Sequence, residues 1–112
     1  LTTDREMWDY MRRQVQEAPD LALGGPSIGW LQAALKECAA LAGLPAPQQP
    51  AICALGSAEK VIDVPPVHLR MANWPNGQLD LYPGAEHEIM MEGPAVRKRF
   101  FDRAAALFAA NR

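Results

Sequence analysis

The chain contains two histidines, His68 and His87, and histidine is the side chain best suited to proton transfer near neutral pH. His68 lies inside a predicted short helix, next to Leu69, where a packing or surface role is typical. His87 lies in a loop, residues 84–88, directly after a predicted strand. Open α/β sheets place reacting groups in such loops, beyond the carboxyl ends of their strands. We therefore predict that His87 is a general base and that His68 is not.

A histidine base needs a carboxylate on its second ring nitrogen, which selects the tautomer and stabilises the imidazolium that forms. A second polar loop, residues 56–63, follows another predicted strand and carries Glu59 and Asp63. Because the carboxyl ends of parallel strands share one edge of a sheet, either acid can reach His87. Glu59 is nearer the strand end and is our candidate, with Asp63 as the alternative. A third interpretation makes both of them solvated acids that pair with Lys60.

A nucleophile is harder to find. Residues 25–29 match the G-x-S-x-G pattern of a nucleophile elbow, with Ser27 at its centre. Such an elbow needs a buried strand immediately before the serine, but residues 20–24 follow Pro19 and contain no β-branched side chain. We predict that Ser27 caps the start of a helix instead.

Hydrophobic spacing predicts the order helix, helix, strand, helix, strand, helix. A capping box at residues 3–6 begins the first helix, and the second runs from Ser27 to Gly43. Residues 51–55 predict a strand that is buried on both faces, and residues 78–82 a second strand. The last helix spans about residues 94–111 and is predicted to bury four side chains: Val96, Phe100, Leu107 and Phe108.

Strand, helix, strand, helix is the repeating unit of a parallel α/β sheet with right-handed crossovers. Two parallel strands cannot cover both of their faces and edges, so we expect them to be the last two strands of a larger sheet. Because the chain starts at Leu1 without a signal peptide, we expect it to be a piece of a longer protein.

Three blocks of sequence, residues 21–30, 56–60 and 84–92, together resemble the lysophospholipase and monoacylglycerol-lipase-like α/β-hydrolases. The resemblance implies the C-terminal portion of that α/β fold, its last two parallel strands with flanking helices (48–112), preceded by two helices of the cap region (1–47). It also implies that His87 is the catalytic base and Glu59 the acid, where the family usually has aspartate. The cap helices, around Trp8 and Trp30, would cover an acyl pocket.

The function that this implies is hydrolysis of a carboxylic ester of a lipid, without a cofactor, by a triad whose serine lies upstream. The chain alone would then be inactive, and its partner would be the missing N-terminal part of the same protein. One alternative is a non-catalytic binding module in which His87 and Glu59 are structural. Another is a small hydrolase that uses Ser27.

Composition argues against other classes. A hydrophobic fraction of 49% is typical of a soluble globular unit, and the net charge of −2 with dispersed Lys and Arg offers no surface for nucleic acid. No apolar stretch approaches the roughly 18 residues that span a bilayer. The sequence contains no HExxH motif, so it does not indicate a metal site of that kind. We predict that Cys38 and Cys53 are buried, reduced thiols, which favours a cytoplasmic location.

Overall fold

A computed structural model describes residues 1–111 and confirms the predicted order of elements. It contains four α-helices, two strands and two short 3₁₀ turns. The helices are α1 (Arg5–Glu17), α2 (Ile28–Ala42), α3 (Val64–Ala72) and α4 (Pro94–Ala110), and the strands are β1 (Ala51–Gly56) and β2 (Gly77–Tyr82). The 3₁₀ turns are Pro19–Leu21 and Ile89–Met91.

The helix starts follow from local chemistry. Ser27 caps α2, as predicted, because its hydroxyl accepts a hydrogen bond from the amide of Trp30 at 3.1 Å. The capping box of α1 is wrong by one residue: the cap is Asp4, whose carboxylate accepts from the amide of Met7 at 2.9 Å. The Thr3 hydroxyl is not available for capping, because it donates to a carboxylate far away in the chain.

The two strands pair in parallel, with Ala51 opposite Gly77 and Gly56 opposite Tyr82. The α/β arrangement is thus present, and α3 connects the two strands. Within residues 1–111 the sheet has only these two strands, so the outer edge of β1 has no strand beside it. The prediction that β1 is buried on both faces is wrong for most of the strand: its first four residues are partly buried, and only Leu55 and Gly56 are buried.

The core is small and lies between the sheet and α4. Tyr82, Ala85 and Ile89 form it, and three partly buried side chains pack against them, namely Ala54, Val96 and Phe100. The prediction that α4 buries Val96 and Phe100 is confirmed only in part, because both side chains pack against this core but are partly buried. Leu107 is also only partly buried, and the prediction is wrong for Phe108, which is 73% exposed because no other layer of the described chain covers its side chain.

The helices α1 and α2 contain no buried residue. Apolar side chains that local spacing would place on an inner face lie open, among them Ile28 (86% exposed) and Leu35 (62% exposed). Cys38 is also exposed and Cys53 partly buried, so the prediction of two buried thiols is wrong for Cys38; both cysteines are free. The reason is the same for all of these residues: no second layer covers this part of the described chain.

The chain is therefore less compact than an ordinary domain of its size. Its accessible surface is 8334 Å², against about 6100 Å² for a compact monomer of this mass. Its radius of gyration is 16.3 Å, against about 13 Å for a globular chain of this length. None of the helices in residues 1–111 has the length and apolar character needed to cross a membrane.

Candidate acid–base site

The structure brings Glu59 and His87 together at the carboxyl ends of the two strands. Glu59 lies in the loop after β1 and His87 in the loop after β2, and the two strands end side by side. The ring nitrogen Nδ1 of His87 is 2.7 Å from Oε2 of Glu59. This is the distance of a strong hydrogen bond between an imidazole and a carboxylate. Parallel pairing of the strands thus joins two residues that are 28 positions apart.

The Glu59 carboxylate is held from its other side by backbone amides. Oε1 accepts hydrogen bonds from the amides of Val61 at 2.5 Å and Ile62 at 3.3 Å. The side chain is only 3% exposed. Burial raises the pKa of Glu59, but the two amides and the His87 ring outweigh it and bring the pKa below its ordinary value. An ionised Glu59 only accepts hydrogen bonds, so Nδ1 of His87 must carry the proton between them.

The other ring nitrogen of His87 is the one that can do chemistry. Within residues 1–111, Nε2 has no hydrogen-bond partner, and the His87 side chain is 30% exposed. With Nδ1 protonated and facing Glu59, a neutral ring carries its free lone pair on Nε2. The pair can therefore accept a proton at Nε2 while Glu59 stabilises the resulting imidazolium.

Backbone contacts fix the two loops against each other. A Cβ atom on Gly56 would overlap the carbonyl oxygens of Ala85 and Glu86 and would lie 2.7 Å from the carbonyl carbon of Ala85. Only glycine permits so close an approach. The amide of Ala58 donates to the Ala85 carbonyl at 2.9 Å, and the amide of Gly84 donates to the Ser57 hydroxyl at 2.8 Å. The geometry of the acid and the histidine is therefore set by the backbone.

One ion pair crosses the same boundary. The ammonium group of Lys60 lies 3.0 Å from the carboxylate of Glu86, and this hydrogen bond lowers the pKa of Glu86. Lys60 thus pairs with the loop that carries His87, whereas the alternative interpretation placed it beside Glu59 and Asp63. Since Lys60 is 76% exposed, the pair adds little to stability by itself.

The other sequence candidates lie elsewhere. Asp63 is exposed at the start of α3 and does not contact His87 through a hydrogen bond. His68 is exposed on α3. Ser27 lies at the start of α2 with its hydroxyl bound to an amide. Of the five side chains considered for chemistry, the structure joins only Glu59 and His87.

Sequence reasoning gave Glu92 no role. Glu92 is 1% exposed and is the single buried charged residue in the described chain. Burial raises its pKa, but hydrogen bonds from Thr3 and from the amide of Glu86 outweigh burial and lower it. No local pattern could have revealed this role, because Thr3 lies 89 positions away.

No metal site accompanies the pair: within residues 1–111, no three His, Cys, Asp or Glu side chains are grouped in a way that would hold an ion.

Acid is expected to destabilise the chain through these carboxylates. The folded-state pKa values of Glu59, Glu86 and Glu92 lie below the ordinary 4.5, so the unfolded chain binds their protons more tightly. Their stabilisation is complete above the ordinary value and is lost as the pH falls through the lowered ones. The urea concentration at the midpoint of unfolding should therefore be lower at about pH 3 than at about pH 7. Glu59→Gln should reduce this difference. Equal midpoints at both pH values would contradict this.

In comparisons with known proteins, no family model, no curated protein and no solved structure matches the chain.

Proposed function

We propose that this chain supplies the acid and the base of a serine hydrolase that cleaves carboxylic esters of lipids. The observation that carries the proposal is the 2.7 Å contact between Glu59 and Nδ1 of His87 at the carboxyl edge of a parallel sheet. A buried carboxylate on one ring nitrogen and a free lone pair on the other are what a histidine base requires. The three sequence blocks that resemble lysophospholipases lead to the same two residues.

In the proposed reaction, an upstream serine attacks the ester carbonyl and His87 takes the hydroxyl proton at Nε2. Glu59 remains ionised and stabilises the imidazolium. The proton then passes to the alkoxide leaving group, which departs as an alcohol. Water attacks the acyl-serine, His87 accepts a proton from that water, and return of this proton to the serine releases the carboxylic acid.

Two features support an upstream origin for the serine. The hydroxyl of Ser27 accepts from the amide of Trp30 at the start of an exposed helix, and no buried strand precedes it. The outer edge of β1 has no neighbouring strand in residues 1–111, and further parallel strands there would place their carboxyl ends at the same edge of the sheet as Glu59 and His87. In the proposal, a serine from outside the described chain therefore meets the unpartnered Nε2 of His87.

The lipid substrate is supported by the resemblance and by the surface of the first two helices. The proposed cap segment, residues 1–47, leaves large apolar side chains open, including Trp8 (43% exposed) and Trp30 (61% exposed). In the longer protein, this cap would lie over the site formed by residues 48–112 and the upstream part. There it would cover the acyl chain of the substrate. No cofactor enters the proposed reaction.

Labelling with a fluorophosphonate, which reacts with activated serines, tests the proposal. The 112-residue chain and the longer protein that contains it are treated in parallel, and the modified peptides are mapped by mass spectrometry. We expect no label on the chain alone and a label on one upstream serine of the longer protein, dependent on His87. A label on Ser27 would identify a small self-contained hydrolase instead. An unlabelled longer protein would favour a non-catalytic binding module.

A further inference from the structure

The buried carboxylate of Glu92 joins two distant segments of the chain. Its Oε1 accepts hydrogen bonds from the amide of Thr3 at 3.0 Å and from the amide of Glu86 at 2.9 Å. Its Oε2 accepts from the hydroxyl of Thr3 at 2.5 Å. Three donors therefore converge on one carboxylate that is 1% exposed. Hydrogen bonds to a buried charged acceptor are among the stronger ones in proteins, and losing them leaves their donors unpaired.

The segment that Glu92 holds, residues 1–4, runs along the loop that carries His87. The hydroxyl of Thr2 donates to the carbonyl of Met91 at 2.7 Å, and the amide of Glu88 donates to the carbonyl of Leu1 at 2.8 Å. The segment leads directly into α1, whose first turn is capped by Asp4. The start of α1 is thus tied to both sides of His87, at Glu88 and through Glu92 at Glu86.

Glu92 reaches the backbone one residue before His87. Within residues 1–111 the His87 ring makes one hydrogen bond, with Glu59, so the direction of the ring depends on where the loop backbone lies. The preceding residue, Ala85, is fixed by a hydrogen bond that its carbonyl accepts from the amide of Ala58. Without Glu92, the amide of Glu86 would lose its acceptor inside the protein, and the loop would shift to hydrate it.

We propose that Glu92 is a positioning residue for His87: it fixes the loop backbone through Glu86 so that Nδ1 faces Glu59, and it couples this geometry to residues 1–4. That this positioning serves catalysis rests on the proposed function. That Glu92 sets the direction of the His87 ring does not.

Nitrogen NMR of the His87 ring in the 112-residue chain tests the inference, because the ring shifts report which nitrogen carries the proton in the neutral form. Four variants are compared with the wild type. Glu92→Leu removes all three acceptor contacts, Thr3→Val removes one donor, and Glu92→Gln keeps an oxygen for the two amides. Glu88→Leu is the matched control, since it makes the same change at a neighbouring acid whose side chain has no hydrogen bond in residues 1–111.

In the wild type we expect the proton on Nδ1. In Glu92→Leu the ratio of Nδ1-protonated to Nε2-protonated ring should fall by about fivefold or more, because the ring is no longer directed at Glu59. Thr3→Val should give a smaller fall, and Glu92→Gln and Glu88→Leu should stay within about twofold of the wild type. A change confined to loss of stability would leave this ratio unaltered in the folded fraction.

A ratio in Glu92→Leu equal to that of the wild type overturns the inference. Should Glu92→Leu fail to fold, Thr3→Val decides in the same way, since it keeps the carboxylate and removes only one hydroxyl donor. These outcomes are separate from the labelling experiment. An unlabelled longer protein would remove the proposed function and leave the Glu92 geometry standing, whereas a labelled serine with an unchanged ratio would do the reverse.

Discussion

Replacing His87 by alanine in the longer protein is expected to lower ester turnover by a factor on the order of 10⁴ to 10⁶. In the proposed reaction His87 accepts the serine proton, and the substitution removes this group together with the hydrogen-bond partner of Glu59. Since the His87 side chain is 30% exposed, its loss should leave the fold intact. Steady-state kinetics on a short-chain ester, with circular dichroism alongside, measure the two effects.

His68→Ala is the matched control, because His68 is exposed on α3 and has no place in the proposed reaction. Its turnover should equal that of the wild type. The same assay separates the two acids: Glu59→Gln should lose a large part of the activity, whereas Asp63→Asn should keep it. Unchanged turnover in His87→Ala would remove the hydrolase proposal.

The second large effect is expected from Gly56→Ala, which should destabilise the chain by more than about 3 kcal/mol or prevent folding. The added methyl group would overlap the carbonyl groups of Ala85 and Glu86, and these belong to backbone that cannot rotate away as a side chain would. Any relief would separate the loop of His87 from the loop of Glu59. Urea unfolding, followed by tryptophan fluorescence, measures the loss.

Gly29→Ala provides the comparison. Gly29 lies within exposed α2, and the nearest atom to an added Cβ is the Ser27 hydroxyl oxygen at 4.0 Å. Alanine there should stabilise the chain by about 0.5–1 kcal/mol, because glycine is a poor helix former. If both variants unfolded at the same urea concentration, close approach at Gly56 would not be what holds the loops together.

The helices α1 and α2 expose large apolar side chains. The side chains of Trp8, Trp30 and Leu35 are between 43% and 62% exposed, although the helices that carry them are well capped. Exposed apolar surface of this extent favours association with another protein layer or with lipid. Kinetic measurements therefore belong to the longer protein, and the unfolding measurements to dilute solutions of the chain.

The sequence by itself determined the local structure. Ser27 caps its helix, Pro65 and Pro66 lie in the first turn of α3, and Pro94 begins α4, because capping and the fixed φ of proline act within a few residues. The period of the apolar residues separated strands from helices for the same reason. Sequence also selected His87 over His68, since a loop after a parallel strand is readable without knowing what packs against it.

Only the tertiary structure decided which distant groups meet. The pairing of Glu59 with His87 in preference to Asp63, and of Lys60 with Glu86, depends on strand register and on the close approach at Gly56. The role of Glu92 and the shift of the α1 cap from Thr3 to Asp4 share one cause, a contact across 89 positions that no local pattern encodes. The exposure of Phe108 and Cys38 could not be predicted from the sequence either. Periodicity shows which face of a helix is apolar but not whether another layer covers that face.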